Sequence, residues 1–231
     1  MEHYPIKFQF ANHSAGWPSS SGSLRFQLLN LRADYIFTFM RGGIYSPTLA
    51  ATSSVVSFTD YNKPFQIHTT VTDQPEYIMV MWNTLDSSTP QVYYGLDSAA
   101  ADLHTVAAET TTYTADDLCG EPATTLGWRN PGLLHSAVIG PLKPGATYTY
   151  KVGDPSYGWS DKMTFTAPPL VGPVTNTRII AFGDLGRGEV DDSIDGEYWR
   201  WGNYQPSLWT TDSMAQNLDS FDLVLNIGDT S

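Results

Sequence analysis

The hydrophobic pattern of this chain changes at one proline-rich stretch, residues 167–173, with the sequence Ala-Pro-Pro-Leu-Val-Gly-Pro. Because proline has no backbone N–H to donate, this stretch cannot continue a β-sheet and is expected to form a stiff linker. Before the linker, apolar residues alternate with polar ones in short runs, whereas after it they form continuous runs. Alternation is typical of strands with one buried face and continuous runs of strands with two, so the chain should contain two kinds of sheet.

The residues before the linker are predicted to form β structure throughout. Apolar and polar residues alternate over 24–28 and again over 35–39, which predicts a strand in each segment. Further strands are predicted at residues 77–82, 91–94, 136–139, 147–152 and 162–166. Short strands separated by Gly, Pro, Asn and Asp indicate a β-sandwich.

Residues 142–152, Leu-Lys-Pro-Gly-Ala-Thr-Tyr-Thr-Tyr-Lys-Val, resemble the corner of a fibronectin type III module. In that corner a turn containing Pro and Gly leads into a strand that begins with tyrosine, and the tyrosine hydroxyl bonds back to the turn. We expect Tyr148 to take this structural role.

The residues after the linker are predicted to form a strand, a helix and a second strand. Residues 178–184 and 223–229 are apolar runs, and residues 206–221 carry apolar side chains at helical spacing. A strand–helix–strand order predicts two parallel strands. Two parallel strands cannot bury both of their faces, so we expect this domain to be incomplete and to expose apolar surface.

Each of the two apolar runs ends in Gly-Asp, at Asp184 and at Asp229. Ligands of parallel sheets gather beyond the carboxyl ends of the strands, so both aspartates should face one site. Two converging carboxylates repel each other unless a cation lies between them, and hard metal ions prefer carboxylate oxygen. A role in a turn or helix cap remains the alternative, and the spacing alone does not decide between the two.

Other polar and aromatic residues are interpreted as structural. Three aspartates follow the first Gly-Asp, and because they lack the glycine and glutamate spacing of an EF-hand, we expect a solvated acidic turn; they are Asp191, Asp192 and Asp195. A nearby group of aromatic residues is predicted to pack in a core or interface rather than to stack on a ligand; it comprises Tyr198, Trp199, Trp201, Tyr204 and Trp209. The five histidines lack metal-ligand spacing and should be structural or exposed.

Charge and composition exclude several classes of protein. The formal net charge of −12 disfavours a nucleic-acid binder, and no apolar run is long enough to span a membrane. The single Cys119 excludes a small disulfide scaffold and leaves its own pairing open. A glycosylation sequon at Asn12 fits a secreted protein. Because the first residues lack the features of a signal peptide, the protein is either intracellular or missing its natural start.

Several segments together resemble the purple acid phosphatases. Residues 183–186, Gly-Asp-Leu-Gly, are similar to the Gly-Asp-x-Gly motif that opens the metallophosphoesterase domain, and residues 228–231 resemble its Gly-Asp-x-x-Tyr motif. Flanking stretches resemble the large plant-type members more closely; they are 22–30, 32–34, 119–123, 127–132 and 159–162. The similarity is strongest to the subgroup with an extra N-terminal β segment, described as nucleotide pyrophosphatase/phosphodiesterase-like.

The resemblance implies a mostly β fold, in which a fibronectin type III-like β-sandwich precedes the first βαβ unit of an incomplete α/β metallophosphoesterase domain. It divides the chain into an N-terminal β domain, a fibronectin type III-like purple acid phosphatase N-terminal domain, a linker and the truncated start of a calcineurin-like metallophosphoesterase domain. These four parts are residues 1–61, 62–168, 169–176 and 177–231.

The resemblance also implies the chemistry. Asp184 would bind a ferric ion, and Asp229 would bridge it to a divalent zinc, manganese or iron ion. The other metal ligands of the family would lie beyond Ser231, so we expect an N-terminal fragment that has no catalytic residue, holds metal weakly and is inactive alone. The complete protein would be a secreted enzyme acting on phosphate esters or nucleotides, and a homodimer is compatible with the family.

Two alternatives stay open. One is a secreted β-sandwich interaction module without catalysis, which leaves the strand–helix–strand segment unexplained. The other is a different metallophosphoesterase such as a 5′-nucleotidase, against which the fibronectin-like segment argues.

Overall fold

The computed structural model describes residues 5–11, 21–43, 45–97, 103–125, 127–172, 176–185, 190–191, 193–195 and 206–228. The described part of the chain is mostly β, as predicted, with strands β1 Lys7–Phe8, β2 Thr38–Arg41, β3 Thr48–Thr52, β4 Phe65–Val71, β5 Ile78–Thr84, β6 Gln91–Leu96, β7 His104–Ala107, β8 Glu109–Thr111, β9 Leu133–Ile139, β10 Thr147–Asp154, β11 Gly158–Trp159, β12 Met163–Thr166, β13 Ile179–Phe182, β14 Ile194–Asp195 and β15 Leu223–Asn226. One α-helix, α1 Pro206–Gln216, and short 3-10 turns at Ala115–Asp117 and Leu218–Ser220 complete these elements. No helix among them is long and apolar enough to cross a membrane.

The chain divides into two compact units. One is Asn30–Thr175, and the other combines Met1–Leu29 with Asn176–Ser231. The boundary between the compact units, at Leu29, lies at a different position from the predicted domain limit at residue 61. The predicted domain limits stay a prediction.

The unit Asn30–Thr175 contains an antiparallel β-sandwich. One sheet has the order β4-β5-β9-β8, and the other has the order β11-β10-β6-β7 with β12 also paired to β10. Alternate side chains of both sheets form a single core, in which Val80, Val92, Ile139 and Val152 have no exposed surface. Burying a side chain of this size stabilises the fold by about 1.5–3 kcal/mol, so this shared core carries the sandwich.

All five strands predicted between residues 77 and 166 are present, and the structure extends most of them. The predicted strand 147–152 is the eight-residue β10, and the predicted strand 136–139 is the seven-residue β9. The sequence analysis missed four strands of the sandwich, β4, β7, β8 and β11. These lie at or near the edges of the sheets, where fewer side chains are buried and the hydrophobic pattern is correspondingly weak.

The strand predicted at residues 24–28 is wrong. These residues form no strand, because side chains from elsewhere bond their backbone groups. Gln9 Nε2 donates to the carbonyl of Arg25 at 2.7 Å, and the N–H of Gln27 donates to Asp191 Oδ2 at 2.5 Å. The alternating pattern cannot show where backbone hydrogen bonds go, so it predicted a sheet where the chain makes side-chain contacts.

The second predicted strand, 35–39, corresponds partly to a hairpin. Tyr35 forms an isolated antiparallel bridge with Val56, and β2 pairs with β3 through an irregularity after Phe39. Arg32 connects this segment to the sandwich within the same unit, since its Nη2 donates to Asn83 Oδ1 at 3.0 Å and its guanidinium lies 5.1 Å from the ring centre of Phe65.

Tyr148 lies at the corner that leads into β10. Its hydroxyl oxygen accepts a hydrogen bond of 2.9 Å from the backbone N–H of Lys143, in the turn before the strand. Its ring is 5% exposed and stacks on Phe165 with 5.6 Å between the ring centres. The residue therefore joins the turn to the strand while filling the core.

Two buried polar residues organise the interior of the sandwich. His135 is 2% exposed, and its two ring nitrogens each lie 2.8 Å from a threonine hydroxyl, Nε2 from Thr84 and Nδ1 from Thr110. Burial lowers the pKa of His135, and the negative charge of Asp154 opposes that change. A neutral imidazole satisfied by two hydroxyls is a structural histidine, as predicted for this residue.

Asp154 is the second of these residues and is also 2% exposed. It accepts hydrogen bonds from the Ser87 hydroxyl at 2.8 Å and from the backbone N–H groups of Ser88, Thr89 and Ser156 at 2.8, 2.5 and 2.8 Å. Burial alone would raise the pKa of Asp154, but these donors together lower it. The charged carboxylate thus holds the β5–β6 loop against the end of β10.

Replacing Tyr148 by Phe should destabilise the sandwich by about 1–2 kcal/mol, because the N–H of Lys143 then loses its partner while the ring is kept. Urea unfolding followed by tryptophan fluorescence measures this change. Tyr113→Phe, at a position that is 43% exposed, is the control and should cause no measurable change. Equal effects of the two substitutions would contradict the role of the corner.

The stability of the sandwich should fall as the pH drops from about 7 to about 5. The pKa of His135 in the folded protein lies below its ordinary value of 6.5. As the pH falls, the unfolded chain therefore binds a proton before the folded protein does, and the free energy of unfolding decreases. Asp154 also contributes to the free energy of unfolding, but because its pKa is lowered, this contribution is lost only below its ordinary pKa of 3.8. The effects of His135 and Asp154 therefore fall in different pH ranges. Urea unfolding at several pH values measures the slope.

His135→Gln should flatten this slope between about pH 7 and pH 5. His68→Gln, on an exposed position of β4, is the matched control. A slope that responds equally to both substitutions would rule out His135 as its source.

Candidate metal centre

Strands β13 and β15 pair in parallel, as predicted, with Phe182 opposite Asn226. The hydrogen bonds continue past the strand ends, since the N–H of Ile227 donates to the carbonyl of Phe182 at 2.8 Å and the N–H of Asp184 donates to the carbonyl of Gly228 at 3.2 Å. Asp184 and Gly228 therefore lie at the same edge of the sheet, directly after their strands.

Arg178 and Asp222 contact each other at the other end of these strands. Arg178 Nη2 lies 3.1 Å from Asp222 Oδ1, and the backbone N–H of Arg178 donates to Asp222 Oδ2 at 2.8 Å. The N–H of Asp222 in return donates to the carbonyl of Arg178 at 2.8 Å. The hydrogen bond from Arg178 lowers the pKa of Asp222, and the same contact raises the pKa of Arg178. These reciprocal bonds set which residues stand opposite each other along the pair.

The backbone at the Gly-Asp edge is unusual. Asp184 has a positive φ of 50°, a conformation that aspartate tolerates better than most residues. Gly228 has a φ of 157°, which favours glycine, and a side chain added at Gly183 would meet Ile227 Cγ1 at 3.3 Å. The glycines therefore allow the two chains to turn and approach each other closely beside the candidate site.

Asp184 is exposed, and its carboxylate accepts no hydrogen bond from the residues that the structure describes. An unengaged carboxylate at the carboxyl end of a parallel strand fits one ligand of a cation that prefers oxygen. Asp229 lies outside the described residues, so its role as the second ligand stays a prediction. Within the described ranges, no three His, Cys, Asp or Glu residues form a group that could hold a metal ion.

Asn226 belongs to this edge and was not singled out from the sequence. Its Oδ1 accepts a hydrogen bond of 3.2 Å from the N–H of Gly228, which shapes the turn between β15 and the second Gly-Asp. One feature of the sequence could have predicted this contact, because an asparagine two residues before a glycine is typical of an Asx turn.

The expectation of a solvated acidic turn is wrong for Asp191. Its side chain is 7% exposed and pairs with Lys7 Nζ at 3.0 Å, because the N-terminal segment covers it within the same compact unit. Asp192 lies outside the described residues, and only the backbone of Asp195 is described. Lys7 and Asp191 lie 184 residues apart in the sequence, so neither hydrophobic periodicity nor motif spacing could predict their contact.

The remaining candidates are placed as follows. Trp209 lies on α1 and is 63% exposed, so it is not part of a core of the described residues, and its packing at an interface stays a prediction. The other four aromatic candidates lie outside the described residues. Asn12 also lies outside them, and its glycosylation stays a prediction. Cys119 is a free, exposed thiol.

Two adjoining family models match the chain. Residues 1–60 match the Fn3-like domain from purple acid phosphatase, and residues 64–167 match the purple acid phosphatase N-terminal domain. The fibronectin-like domain of the family models is thus the earlier segment, and the β-sandwich corresponds to the N-terminal domain model.

Curated proteins and a solved structure are similar to this chain, some of them over nearly its whole length. Probable inactive purple acid phosphatase 27 of Arabidopsis thaliana is 35% identical over 234 residues, which cover 97% of this chain and 37% of that protein. A nucleotide pyrophosphatase/phosphodiesterase of Hordeum vulgare is 46% identical over 77 residues, covering 33% of this chain and 20% of that protein. The structure of purple acid phosphatase PPD1 from yellow lupin (Lupinus luteus) seeds matches 95% of this chain and 39% of its own, with 35% identity and a TM-score of 0.83.

The chain spans less than two fifths of the length of the first of these relatives. Both family models derive from one family, they adjoin along the chain, and the lupin enzyme shares the fold over almost all of it. The chain belongs to the purple acid phosphatase family.

Proposed function

We propose that this chain supplies the β scaffold and the first two metal-binding carboxylates of a phosphatase or phosphodiesterase whose full length hydrolyses phosphate esters. The observation that carries the proposal is the parallel pairing that brings Gly183-Asp184 and Gly228 to one edge, with the carboxylate of Asp184 exposed there. Family membership supports the reaction class, since the relatives are named as purple acid phosphatases.

In this proposal Asp184 and Asp229 would be ligands of a pair of metal ions, a ferric ion and a divalent zinc, manganese or iron ion. Two such ions, when bound, supply Lewis-acid polarisation of the phosphate and activation of water. The contribution of this chain is to orient the carboxylates, because the register set by Arg178 and Asp222 determines which residues lie side by side at the far edge. Stable metal binding and turnover require the further ligands of the family, so the chain alone is expected to be inactive.

The substrate class is a phosphate ester, with a nucleotide as a specific candidate. The nucleotide assignment is supported by the 46% identity to the barley protein named as a nucleotide pyrophosphatase/phosphodiesterase, over 77 residues. The acidic net charge of −12 disfavours a nucleic acid as the partner.

A non-catalytic role is the second candidate, and one observation favours it. The relatives that match 97% of this chain, at 33–35% identity, are all named as probable inactive purple acid phosphatases. Members that keep the scaffold without turnover would still conserve the sandwich and the parallel strands for folding. Metal binding and turnover therefore need separate measurements.

Asp184→Asn in a full-length protein containing this chain should reduce both ferric-ion content and hydrolysis of p-nitrophenyl phosphate by about 100-fold or more, because one charged metal ligand is lost. Metal content is measured by mass spectrometry, and turnover is measured with the mono- and diester of p-nitrophenol. Asp212→Asn, an exposed carboxylate on α1, is the matched control and should leave both values unchanged.

The outcomes separate the two candidates. Metal-loaded wild-type protein that binds iron but hydrolyses neither ester would favour the non-catalytic role. Full activity in Asp184→Asn would remove Asp184 from the metal site. Turnover by the 231-residue chain alone at the level of the full-length protein would contradict its proposed inactivity.

We also propose that the protein is secreted, on the basis of the family resemblance and the sequon at Asn12. Expression with a secretory leader in a eukaryotic host should attach a glycan there. Endoglycosidase treatment should then shift the mass of the wild type but not that of Asn12→Gln. An unshifted wild-type protein would contradict glycosylation at this position.

A further inference from the structure

A buried ion pair links the two ends of the compact unit formed by Met1–Leu29 and Asn176–Ser231. Lys7 Nζ lies 3.0 Å from Asp191 Oδ2, and the two side chains are 8% and 7% exposed. The other ion pairs of the described residues, Lys63–Asp161 and Arg178–Asp222, have side chains that are at least 40% exposed. Exposed pairs contribute little to stability, whereas breaking a buried pair leaves an uncompensated charge in the interior.

Further hydrogen bonds surround the carboxylate of Asp191. The N–H of Gln27 donates to Oδ2 at 2.5 Å, and the N–H of Ser193 donates to Oδ1 at 3.1 Å. Burial alone would raise the pKa of Asp191, but the donors from Ser193, Gln27 and Lys7 lower it to about 2. The carboxylate is therefore charged near neutral pH and can pair with the ammonium group of Lys7.

Gln9 makes a second set of contacts to the same segment. Its Nε2 donates to the carbonyl of Asp191 at 2.6 Å and to the carbonyl of Arg25 at 2.7 Å, and Ser193 Oγ lies 3.3 Å away. One amide thus joins both halves of the N-terminal segment to the turn at residue 191. Strands β1 and β14 add a short antiparallel pairing, in which Lys7 stands opposite Asp195.

All these contacts meet on one short stretch, residues 190–195, which follows the first Gly-Asp in sequence and precedes α1. The side-chain contact partners lie up to 184 residues apart, so the chain closes a very long loop to make these contacts. Because ordering two distant segments costs conformational entropy, a dense set of polar contacts between them indicates that both segments need each other to be ordered.

We infer that residues 6–11 and 21–29 act as an intramolecular strap, fastened at Asp191, that holds residues 190–191 and 193–195 in place. The strap is then a structural requirement of the unit that contains Asp184, not part of a separate module of residues 1–60. The relevance of the strap to a metal site rests on the proposed function, whereas the contacts that define the strap do not depend on that function. The boundary between the compact units lies at Leu29, inside the segment 1–60 that the Fn3-like family model matches. This position agrees with assigning residues 6–11 and 21–29 to the unit that contains Asp184.

Hydrogen–deuterium exchange of the 231-residue chain tests the strap directly. Lys7→Met and Asp191→Asn should each speed exchange in peptides covering residues 190–195 and 25–29 by about tenfold or more, since each removes one partner of the Lys7–Asp191 ion pair. Lys7→Arg keeps the charge and should restore most of the protection. Peptides from β5 and β10, in the sandwich, serve as the internal reference and should not change.

Two matched controls remove exposed ion pairs. Arg178→Met lies in the same compact unit, and Lys63→Met lies in the other. Both should leave residues 190–195 protected. The double variant Lys7→Met/Asp191→Asn should exchange more slowly than the sum of the single effects predicts, because it leaves no unpaired charge.

Several outcomes would overturn the strap. These are unchanged exchange at 190–195 in both single variants, an equal effect of Arg178→Met, or additive effects in the double variant. Loss of protection in the sandwich peptides as well would show global unfolding and equally reject a local strap. If Lys7→Met fails to fold, Gln9→Met, which removes hydrogen bonds but no charge, tests the same segment with the same expected pattern. The measurement needs neither metal nor turnover, so its failure is distinct from a failure of the proposed phosphatase function.

Discussion

The parallel hydrogen-bond ladder between β13 and β15 is the interaction on which the candidate site depends. Parallel strands place their carboxyl ends at the same edge, and here the ladder runs on to the N–H of Asp184 and the carbonyl of Gly228. A slip of one residue would move each side chain to the other face of the sheet. The reciprocal contacts of Arg178 and Asp222 oppose such a slip at the start of the ladder. The candidate site and the contacts of Arg178 with Asp222 thus lie at opposite ends of the same ladder.

The same pair of strands leaves apolar surface uncovered within this chain. Ile179 and Val224 are 51% and 44% exposed, although their sequence is typical of strands buried on both faces. The local sequence therefore anticipates packing that these residues do not have in the chain alone. This contrast agrees with the relatives, of which the chain spans less than two fifths.

Buried polar groups are the second organising principle, and both compact units use it in the same way. Asp154 and Asp191 each hold a charge out of water by accepting several hydrogen bonds, and His135 stays neutral between two hydroxyls. In each case at least one bonded partner comes from a segment far away in sequence: Ser87 for Asp154, Gln27 for Asp191 and Thr84 for His135. Such groups specify which loops meet, because a mispaired arrangement would leave a charge or a donor unsatisfied.

The indole nitrogen of Trp82 is a buried polar atom without a hydrogen-bond partner among the described residues.

The sequence by itself determined the features that depend on local pattern. Alternation predicted the inner strands of the sandwich, a Pro-Gly turn ahead of a strand pointed to Tyr148, and two apolar runs ending in Gly-Asp indicated a parallel pair and a candidate ligand at Asp184. Motif resemblance then named the family. Only the tertiary structure decided that residues 24–28 form no strand, that Asn226 shapes the second Gly-Asp turn, and that Asp191 is buried against Lys7 rather than solvated. The physical reason is range: burial periodicity repeats every few residues and can be read along the chain, whereas a hydrogen bond between residues 7 and 191 exists only once folding has closed the loop between them.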